Sequence, residues 1–373
     1  MSEDVLAEPV DMPVPARRRW RGRLVPKSAT PEVVRSVRWA VVVIWAVVFA
    51  EQIRENGIPY FRTDLLLWLS IGLAAASIGK RNILTVVLDF LPFALVLLSY
   101  DYLRGLSDSL GMPTWWHPQV DVDKFLFFGH EPTVWLQERL LYPDVRWWDV
   151  LVALCYVSFF FLPYVTAALL WLRSRRDFYR WSLRFVALSF IAFTFFALTP
   201  AAPPWAAAKC TAAQVADHAY NPACMNYPEG AYPHNLLGTM TDQRPGVSPW
   251  VHRTVGRGFA DLHLHFAGAV IRTGQAGVDL VAAVPSLHAG GIMLFSIFMW
   301  RRLNRWWRPL LAAYPILMAF TLVYTAEHFF ADVLAGWLGA AIVCVAADRI
   351  ERRKRPGATA DTLKVSTQYT VEN

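Results

Sequence analysis

The sequence predicts an all-α protein, a polytopic membrane helix bundle of about eight transmembrane helices with interfacial helices on its outer side. Three observations predict this class. Hydrophobic residues make up 55% of the 373 residues and the mean hydropathy is +0.31, which together exclude an ordinary soluble domain. Apolar runs close to the length that crosses a bilayer recur along the chain. Basic residues cluster beside alternate ends of these runs.

Eight apolar runs are predicted to span the membrane. The second run is short for a span, and the last two meet at a tight reversal. The first run begins near residue 39 after a long basic tail, so we expect it to remain as an anchor and not to be cleaved as a signal peptide. The predicted spans are residues 39–54, 63–79, 82–103, 148–172, 182–199, 281–300, 309–326 and 329–348.

The net charge of +7 indicates how the chain is oriented. When the N-terminus is placed in the cytoplasm, every basic cluster beside a span falls on the cytoplasmic side, as the positive-inside rule requires. We therefore expect cytoplasmic N- and C-termini that contact lipid headgroups, and no nucleic-acid partner. The clusters are Arg17–Arg23, Lys80–Arg81, Arg173–Arg176, Arg301–Arg308 and Arg352–Arg355.

The first part of the outer side is rich in aromatic and charged residues. Residues 105–146 mix tryptophans with acidic residues and prolines, which predicts short interfacial helices. These helices form either a surface belt or a lid that guides a lipid headgroup. At the end of the third span, Asp101 and Arg104 lie one turn apart. They form either an interfacial ion pair or a site in which Arg104 points inward and binds phosphate.

The outer loop of residues 206–280 is long for a simple connection. It contains Cys210 and Cys224, and the oxidising outer side permits a disulfide bond between them. Several cations in the loop run against the positive-inside trend, which favours phosphate binding on this side. These cations are Lys209, Arg244, Arg253, Arg257 and Arg272.

Two histidine motifs lie in the last third of the chain. The first is Pro-Ser-Leu-His-Ala-Gly at residues 285–290, and the second is Glu-His-Phe-Phe-Ala-Asp at residues 327–332. His328 and Asp332 are four residues apart, so on a helix they share one face. A carboxylate in that position fixes the imidazole tautomer and makes the other ring nitrogen a better nucleophile or base.

The first motif has the features of a helix start. Pro285 and Ser286 place proline at a tolerated first-turn position, followed by free backbone N–H groups that suit phosphate oxygens. His288 lies within the first turn of that predicted helix. Ionisable side chains at membrane depth are costly, so these histidines are candidates for function.

Together the motifs resemble the lipid phosphatase/phosphotransferase superfamily of the type 2 phosphatidic acid phosphatases. The branch that contains inositol phosphorylceramide synthases is the closer match, because its second motif reads Pro-Ser-Leu-His-Ala-Gly as residues 285–290 do. Residues 200–205 and 132–137 are also similar to that branch. The resemblance covers roughly residues 90–350.

The resemblance implies a role for each motif residue. His328 would attack a phosphoryl group and form a phosphohistidine, and Asp332 would hold and polarise His328. His288 would protonate the leaving oxygen and then act as base for the acceptor. Ser286 and the N–H groups beside it would bind the phosphate. No cofactor and no metal ion is required.

The cations of the chain depart from the family's pattern. The family's first motif is missing, and Leu322 stands where the third motif has an arginine. Glu327 stands where the synthase branch often has a second histidine, which leaves the acceptor open. An outer arginine is therefore expected to bind phosphate, and our order of preference is Arg104, Arg257, Arg253 and Arg244.

Asp261, His263 and His265 alternate in the outer loop and could suggest a metal site. No further ligand at a suitable spacing accompanies them, and we do not expect a metal there.

We expect four parts in the chain and one catalytic reaction. Residues 1–35 would be a disordered cytoplasmic tail, 36–81 peripheral transmembrane helices, 82–350 the catalytic membrane domain, and 351–373 a second cytoplasmic tail. The expected reaction moves a phospho-headgroup between a lipid and a lipid or polyol acceptor, on the periplasmic or extracellular face of a bacterial inner (plasma) membrane.

Two other functions stay open at this point. One is a lipid phosphatase acting on phosphatidic acid or a polyprenyl (pyro)phosphate, and the other is a non-catalytic scaffold or transporter. The expected partners are a phospholipid or polyprenyl-phosphate substrate and membrane lipids. The oligomeric state is open.

Overall fold

A computed structural model describes residues 30–56, 62–80, 83–103, 106–227, 233–241, 244–261 and 280–353. The prediction of an all-α membrane bundle is confirmed: the described residues form helices and isolated bridges but no strand. The helices are α1 Pro31–Asn56, α2 Arg62–Ser77, α3 Ile83–Leu103, α4 Leu106–Ser109, α5 Pro118–Leu126, α6 Pro132–Leu140, α7 Trp147–Arg173, α8 Arg175–Leu198, α9 Pro204–Ala207, α10 Arg257–Asp261, α11 Leu287–Met299, α12 Arg308–Tyr324 and α13 Phe330–Arg353.

Five helices of the described chain are long and apolar enough to cross a membrane, namely those based on α1, α7, α8, α12 and α13. Shorter apolar helices lie within α2, α3 and α11. Each predicted span therefore corresponds to an apolar helix. The short α5 and α6 fall in the outer segment for which interfacial helices were predicted.

Three helix ends differ from the predicted span limits for local reasons. Helix α1 begins at Pro31, inside the segment expected to be a disordered tail, and the backbone N–H of Val33 donates to Oγ1 of Thr30 there (3.4 Å). Helix α11 begins at Leu287 and not near residue 281, because Ser286 caps it. Helix α13 continues to Arg353, beyond the domain limit predicted at residue 350.

The chain divides into two compact units, residues 1–51 with 67–89 and residues 52–66 with 90–373. In the first unit, α1 packs against α2 through aromatic side chains: Nε1 of Trp45 donates to the carbonyl oxygen of Trp68 (3.1 Å), and the rings of Phe49 and Trp68 lie 5.1 Å apart. The histidine motifs both belong to the second unit.

The core of the second unit brings α11 and α13 into backbone contact. A Cβ added to Gly336 would lie 2.3 Å from the carbonyl oxygen of Ser286, and one added to Gly290 would lie 2.9 Å from the carbonyl oxygen of Gly336. Only glycine fits at these positions, so the approach fixes the start of α11 against the first turns of α13.

The described part of the loop of residues 206–280 packs at the same end of the bundle as the histidine motifs. Cys210 and Cys224 form a disulfide bond with a Cα–Cα distance of 5.3 Å. Ala201, in the proline-rich segment before α9, forms isolated β-bridges with Trp115 and with Ala282. This segment therefore holds the chain that leads into α11.

Candidate active site

The first histidine motif forms the N-terminus of α11. The hydroxyl of Ser286 accepts a hydrogen bond from the backbone N–H of Ala289 (3.3 Å), and Ser286 is fully buried. The backbone N–H of Ser286 donates to the carbonyl oxygen of Asp332 (3.0 Å). The contact between Ser286 and phosphate stays a prediction. In this structure the Ser286 side chain caps the first turn of α11.

The second motif forms the predicted tight reversal between α12 and α13. Ala326 has a left-handed backbone (φ +61°), and the N–H groups of Glu327 and His328 both donate to the carbonyl oxygen of Leu322 (3.0 and 3.2 Å). The carbonyl of Ala326 in turn accepts from the N–H of Trp205 (3.1 Å). These bonds fix the position of His328 immediately before α13.

His328 and Asp332 lie close together as predicted, but they do not share a helix face, because α13 begins at Phe330, after His328. Nδ1 of His328 lies 3.5 Å from Oδ2 of Asp332, and that oxygen also accepts from the N–H of Phe329 (2.9 Å). Asp332 is fully buried. A separation of 3.5 Å is long for a hydrogen bond, but bonds of this kind often tighten only when substrate binds. In this structure Nδ1 of His328 is buried beside the carboxylate without a formed hydrogen bond, so a small approach of the two side chains would complete the pair.

His288 lies opposite His328, with 5.6 Å between the two ring centroids. Its ring is surrounded by aromatic side chains, with centroids 4.9 Å from Tyr156, 4.3 Å from Phe159 and 5.5 Å from Phe160. Nε2 of His288 is buried and, among the described residues, has no hydrogen-bond partner. Two imidazoles at this distance can contact one phosphoryl group from two sides, since reacting atoms sit about 3–3.5 Å apart.

Arg253 is the predicted cation that the structure brings to the histidine turn. Its guanidinium donates to both carboxylate oxygens of Glu327 (2.7 Å each) and lies 4.9 Å from the ring centroid of Trp205. Because Glu327 precedes His328 directly, this bidentate pair holds a guanidinium near the candidate nucleophile, with its charge compensated by the Glu327 carboxylate.

The other predicted arginines occupy different places. Arg257 donates to the carbonyl oxygens of Tyr142 and Pro143 (2.6 and 3.2 Å). Arg244 donates to backbone carbonyls at the end of α6 and stacks on the ring of Tyr142 at 3.9 Å. Both hold the connection between α6 and α7. Arg104 lies outside the described residues, as do His263 and His265 of the metal site considered above, whereas Asp261 ends α10.

Asp123 is a site residue that the sequence reasoning missed. This fully buried side chain on α5 accepts hydrogen bonds from the N–H groups of Phe330 and Ala331, both at 2.8 Å. Together with Asp332, which accepts from Phe329, it satisfies the first N–H groups of α13. Burial raises the pKa of Asp123 to about 7, against the lowering effect of these two bonds. Asp123 therefore determines where α13 begins, directly after His328.

Gln137 was also missed as a contact, although it lies in a segment singled out by resemblance. It is fully buried on α6, and its Nε2 donates to the carbonyl oxygens of Tyr324 and His252 (2.8 and 2.7 Å). Its Oε1 accepts from the N–H of His252 (2.9 Å). Gln137 thus links the end of α12 to the loop segment that contains His252 and Arg253.

The comparisons with known proteins agree with this arrangement. A family model described as the PAP2 superfamily matches residues 119–346. This range begins in α5 and includes His288, His328 and Asp332. Searches of curated proteins and of solved structures found no match.

Proposed function

Since the chain belongs to the PAP2 superfamily, whose members are phosphatases or phosphotransferases, we propose that it is a membrane phosphotransferase that works through a phosphohistidine. The observation that carries the proposal is the pairing of Nδ1 of His328 with Asp332 at 3.5 Å, opposite the ring of His288 at 5.6 Å. Only this part of the described chain brings a nucleophile, its orienting carboxylate and a second titratable group together.

The first step forms a bond between His328 and phosphorus. Nε2 of His328 attacks the phosphorus of a phosphodiester lipid, and the bond from phosphorus to the lipid oxygen breaks. Protonated His288 donates its proton to that oxygen, so the leaving group departs as an alcohol. Asp332 accepts the Nδ1 proton as a hydrogen bond and stabilises the charge that develops on the ring.

The second step returns the enzyme to its starting state. An acceptor alcohol loses its proton to neutral His288 and attacks the phosphorus, and the bond to His328 breaks. Arg253 offsets the negative charge on the phosphoryl oxygens in both steps. It can turn from Glu327 to phosphate without leaving the site, because a guanidinium binds carboxylate and phosphate through the same paired geometry.

Transfer to an alcohol is favoured over hydrolysis by the surroundings of the histidines. The side chain of His328 is only 9% exposed, and three aromatic rings line His288. Such walls suit the apolar part of a lipid and limit the access of water. The Pro-Ser-Leu-His-Ala-Gly sequence, which resembles the synthase branch, supports the same choice. The substrate would be a phospholipid or a polyprenyl phosphate.

The site is proposed to open on the outer face of a bacterial inner membrane. Most basic residues beside α7, α8, α11 and α13 lie at the ends of the helices away from His288 and His328, and Arg146 at the start of α7 is an exception. By the positive-inside rule those ends are cytoplasmic. The termini would then be cytoplasmic as well.

A lipid donor labelled in its phospho-headgroup tests the function. The purified protein is incubated in vesicles with phosphatidylinositol labelled in its phosphoinositol group, with and without an added polyol or a diacylglycerol whose acyl chains differ from those of the donor. We expect labelled phosphodiester product on the added acceptor only when that acceptor is present, and no product from His328→Ala. The exposed His130→Ala is the matched control and should keep full activity. Equal amounts of labelled inositol phosphate with and without acceptor would instead show hydrolysis.

A further inference from the structure

A large cavity lies between α8, α11, α12 and α13, at the ends of these helices away from the histidines. Its volume is about 990 Å³. Ser296 and Trp337 line it nearest the site, and Asp348 and Glu351 line it farther along α13. Since a helix rises about 1.5 Å per residue, Glu351 lies about 28 Å along α13 from Asp332. The near end of the cavity, at Trp337, lies about 7.5 Å along α13 from Asp332, and His288, His328 and Asp332 do not line the cavity.

The far rim of the cavity is positively charged. Five arginines line it against three carboxylates. Arg184, although only 4% exposed, pairs with both Asp348 and Glu351, and Arg302 pairs with Asp177. These ion pairs order the rim, while the excess of arginines leaves it positive and complementary to an anion.

The inner part of the cavity is apolar but has two unsatisfied polar atoms. Its wall includes Ile297, Leu311 and Ile316. Oγ of Ser296 and Nε1 of Trp337 are buried without a hydrogen-bond partner among the described residues. Both atoms lie within the wall and not on the open surface of the cavity. A ligand with an anionic head and an apolar tail would match the charged rim and the apolar wall.

We propose that this cavity binds an anionic phospholipid from the leaflet opposite the reaction. The phosphate would lie on the arginine rim, and an acyl chain would lie against the apolar wall. The volume is in the range of about 300–1,000 Å³ that ligand pockets occupy. Basic pockets between transmembrane helices bind acidic lipid headgroups in the same way. The site does not depend on the proposed phosphotransfer.

The test measures lipid binding to the delipidated full chain in detergent by native mass spectrometry. Dioleoyl phosphatidylglycerol is compared with dioleoyl phosphatidylcholine, and with glycerol phosphate, which has the charge but no acyl chain. We expect at least tenfold tighter binding of one phosphatidylglycerol than of phosphatidylcholine, and no retained glycerol phosphate. His328→Ala should bind as the wild type does, which separates this site from the catalytic proposal.

Variants of the rim identify the site. Arg301 and Arg352 line the cavity from exposed positions, so Arg301→Gln with Arg352→Gln should fold normally and lose about tenfold in affinity for phosphatidylglycerol. Arg175→Gln with Arg349→Gln changes two arginines outside the cavity lining and should leave the affinity unchanged. Equal losses in the two pairs, equal binding of both lipids, or retention of glycerol phosphate would each overturn the proposal.

Discussion

Replacing Asp123 by asparagine should reduce catalysis in a way that depends on pH. Asp123 receives the N–H groups of Phe330 and Ala331 on two oxygens, each at 2.8 Å. Asparagine has the same size but one acceptor oxygen, so its NH₂ group would face one of the two N–H donors. The first turn of α13 must then shift, and His328 with it.

The magnitude follows from the lost hydrogen bond. A hydrogen bond to a charged group contributes about 1.5–3 kcal/mol, which corresponds to a loss in rate of about 10- to 150-fold if the whole effect falls on the positioning of His328. The pKa of Asp123 is about 7, so below that pH the wild-type side chain is also a neutral acid with one remaining acceptor. The deficit of the variant should therefore be small near pH 5 and full near pH 8.

The assay is initial-rate turnover of a labelled phospholipid in detergent between pH 5 and 8. Asp121→Asn is the matched control, because Asp121 lies exposed on the same helix α5 and should not alter the rate. A wild-type rate for Asp123→Asn at pH 8, or the same deficit at pH 5 and pH 8, would refute the reasoning.

Three further predictions concern the Arg253–Glu327 ion pair, the buried carboxyl group of Glu131 and the disulfide bond. Arg253→Gln leaves buried Glu327 without its ion-pair partner and should lower stability by about 3–5 kcal/mol. The double variant with Glu327→Gln should regain most of the melting temperature but not the turnover. Recovery of both would contradict a role of Arg253 in phosphate binding. Burial raises the pKa of Glu131 to about 7, so the folded state binds the carboxyl proton more tightly than the unfolded state does, and the free energy of unfolding should fall as pH rises from about 4 to about 7. Glu131→Gln should reduce this dependence of stability on pH by up to about 1.4 kcal/mol per pH unit. An unchanged dependence would contradict the prediction. Reduction of Cys210–Cys224, which closes a loop with a sequence separation of 14, should lower stability by about 3 kcal/mol in thermal unfolding, and a melting temperature unaffected by reductant would argue against that contribution.

The spans and the histidine pair could be predicted because each depends on local periodicity. Apolar runs report helices directly, and the four-residue spacing predicted that His328 and Asp332 lie close together, although His328 precedes α13 and does not share a helix face with Asp332. The tight reversal before α13 followed from the same pattern. The convergence of His288 with His328 needed the motif resemblance, since nothing local links α11 to α12.

The cations and the outer contacts could not be predicted because they depend on distant parts of the chain. Asp123 contacts Phe330 across a sequence separation of 207, and no spacing rule connects them. The order of preference among arginines placed Arg257 above Arg253, but charge alone does not tell which one points at Glu327 and which one binds backbone carbonyls. Which of these two arginines pairs with Glu327 depends on how α6 and Gln137 hold the loop, which is a property of packing.

The most direct measurement of the central claim is the trapping of the covalent intermediate. The protein is mixed with a phospholipid carrying radiolabelled phosphate, quenched in alkali, digested and mapped. The account predicts label on the peptide that contains His328, stable to alkali and lost in acid, absent in His328→Ala, and persisting longer in His288→Ala when acceptor is added. Label on another residue, or turnover by His328→Ala at the wild-type rate, would contradict it.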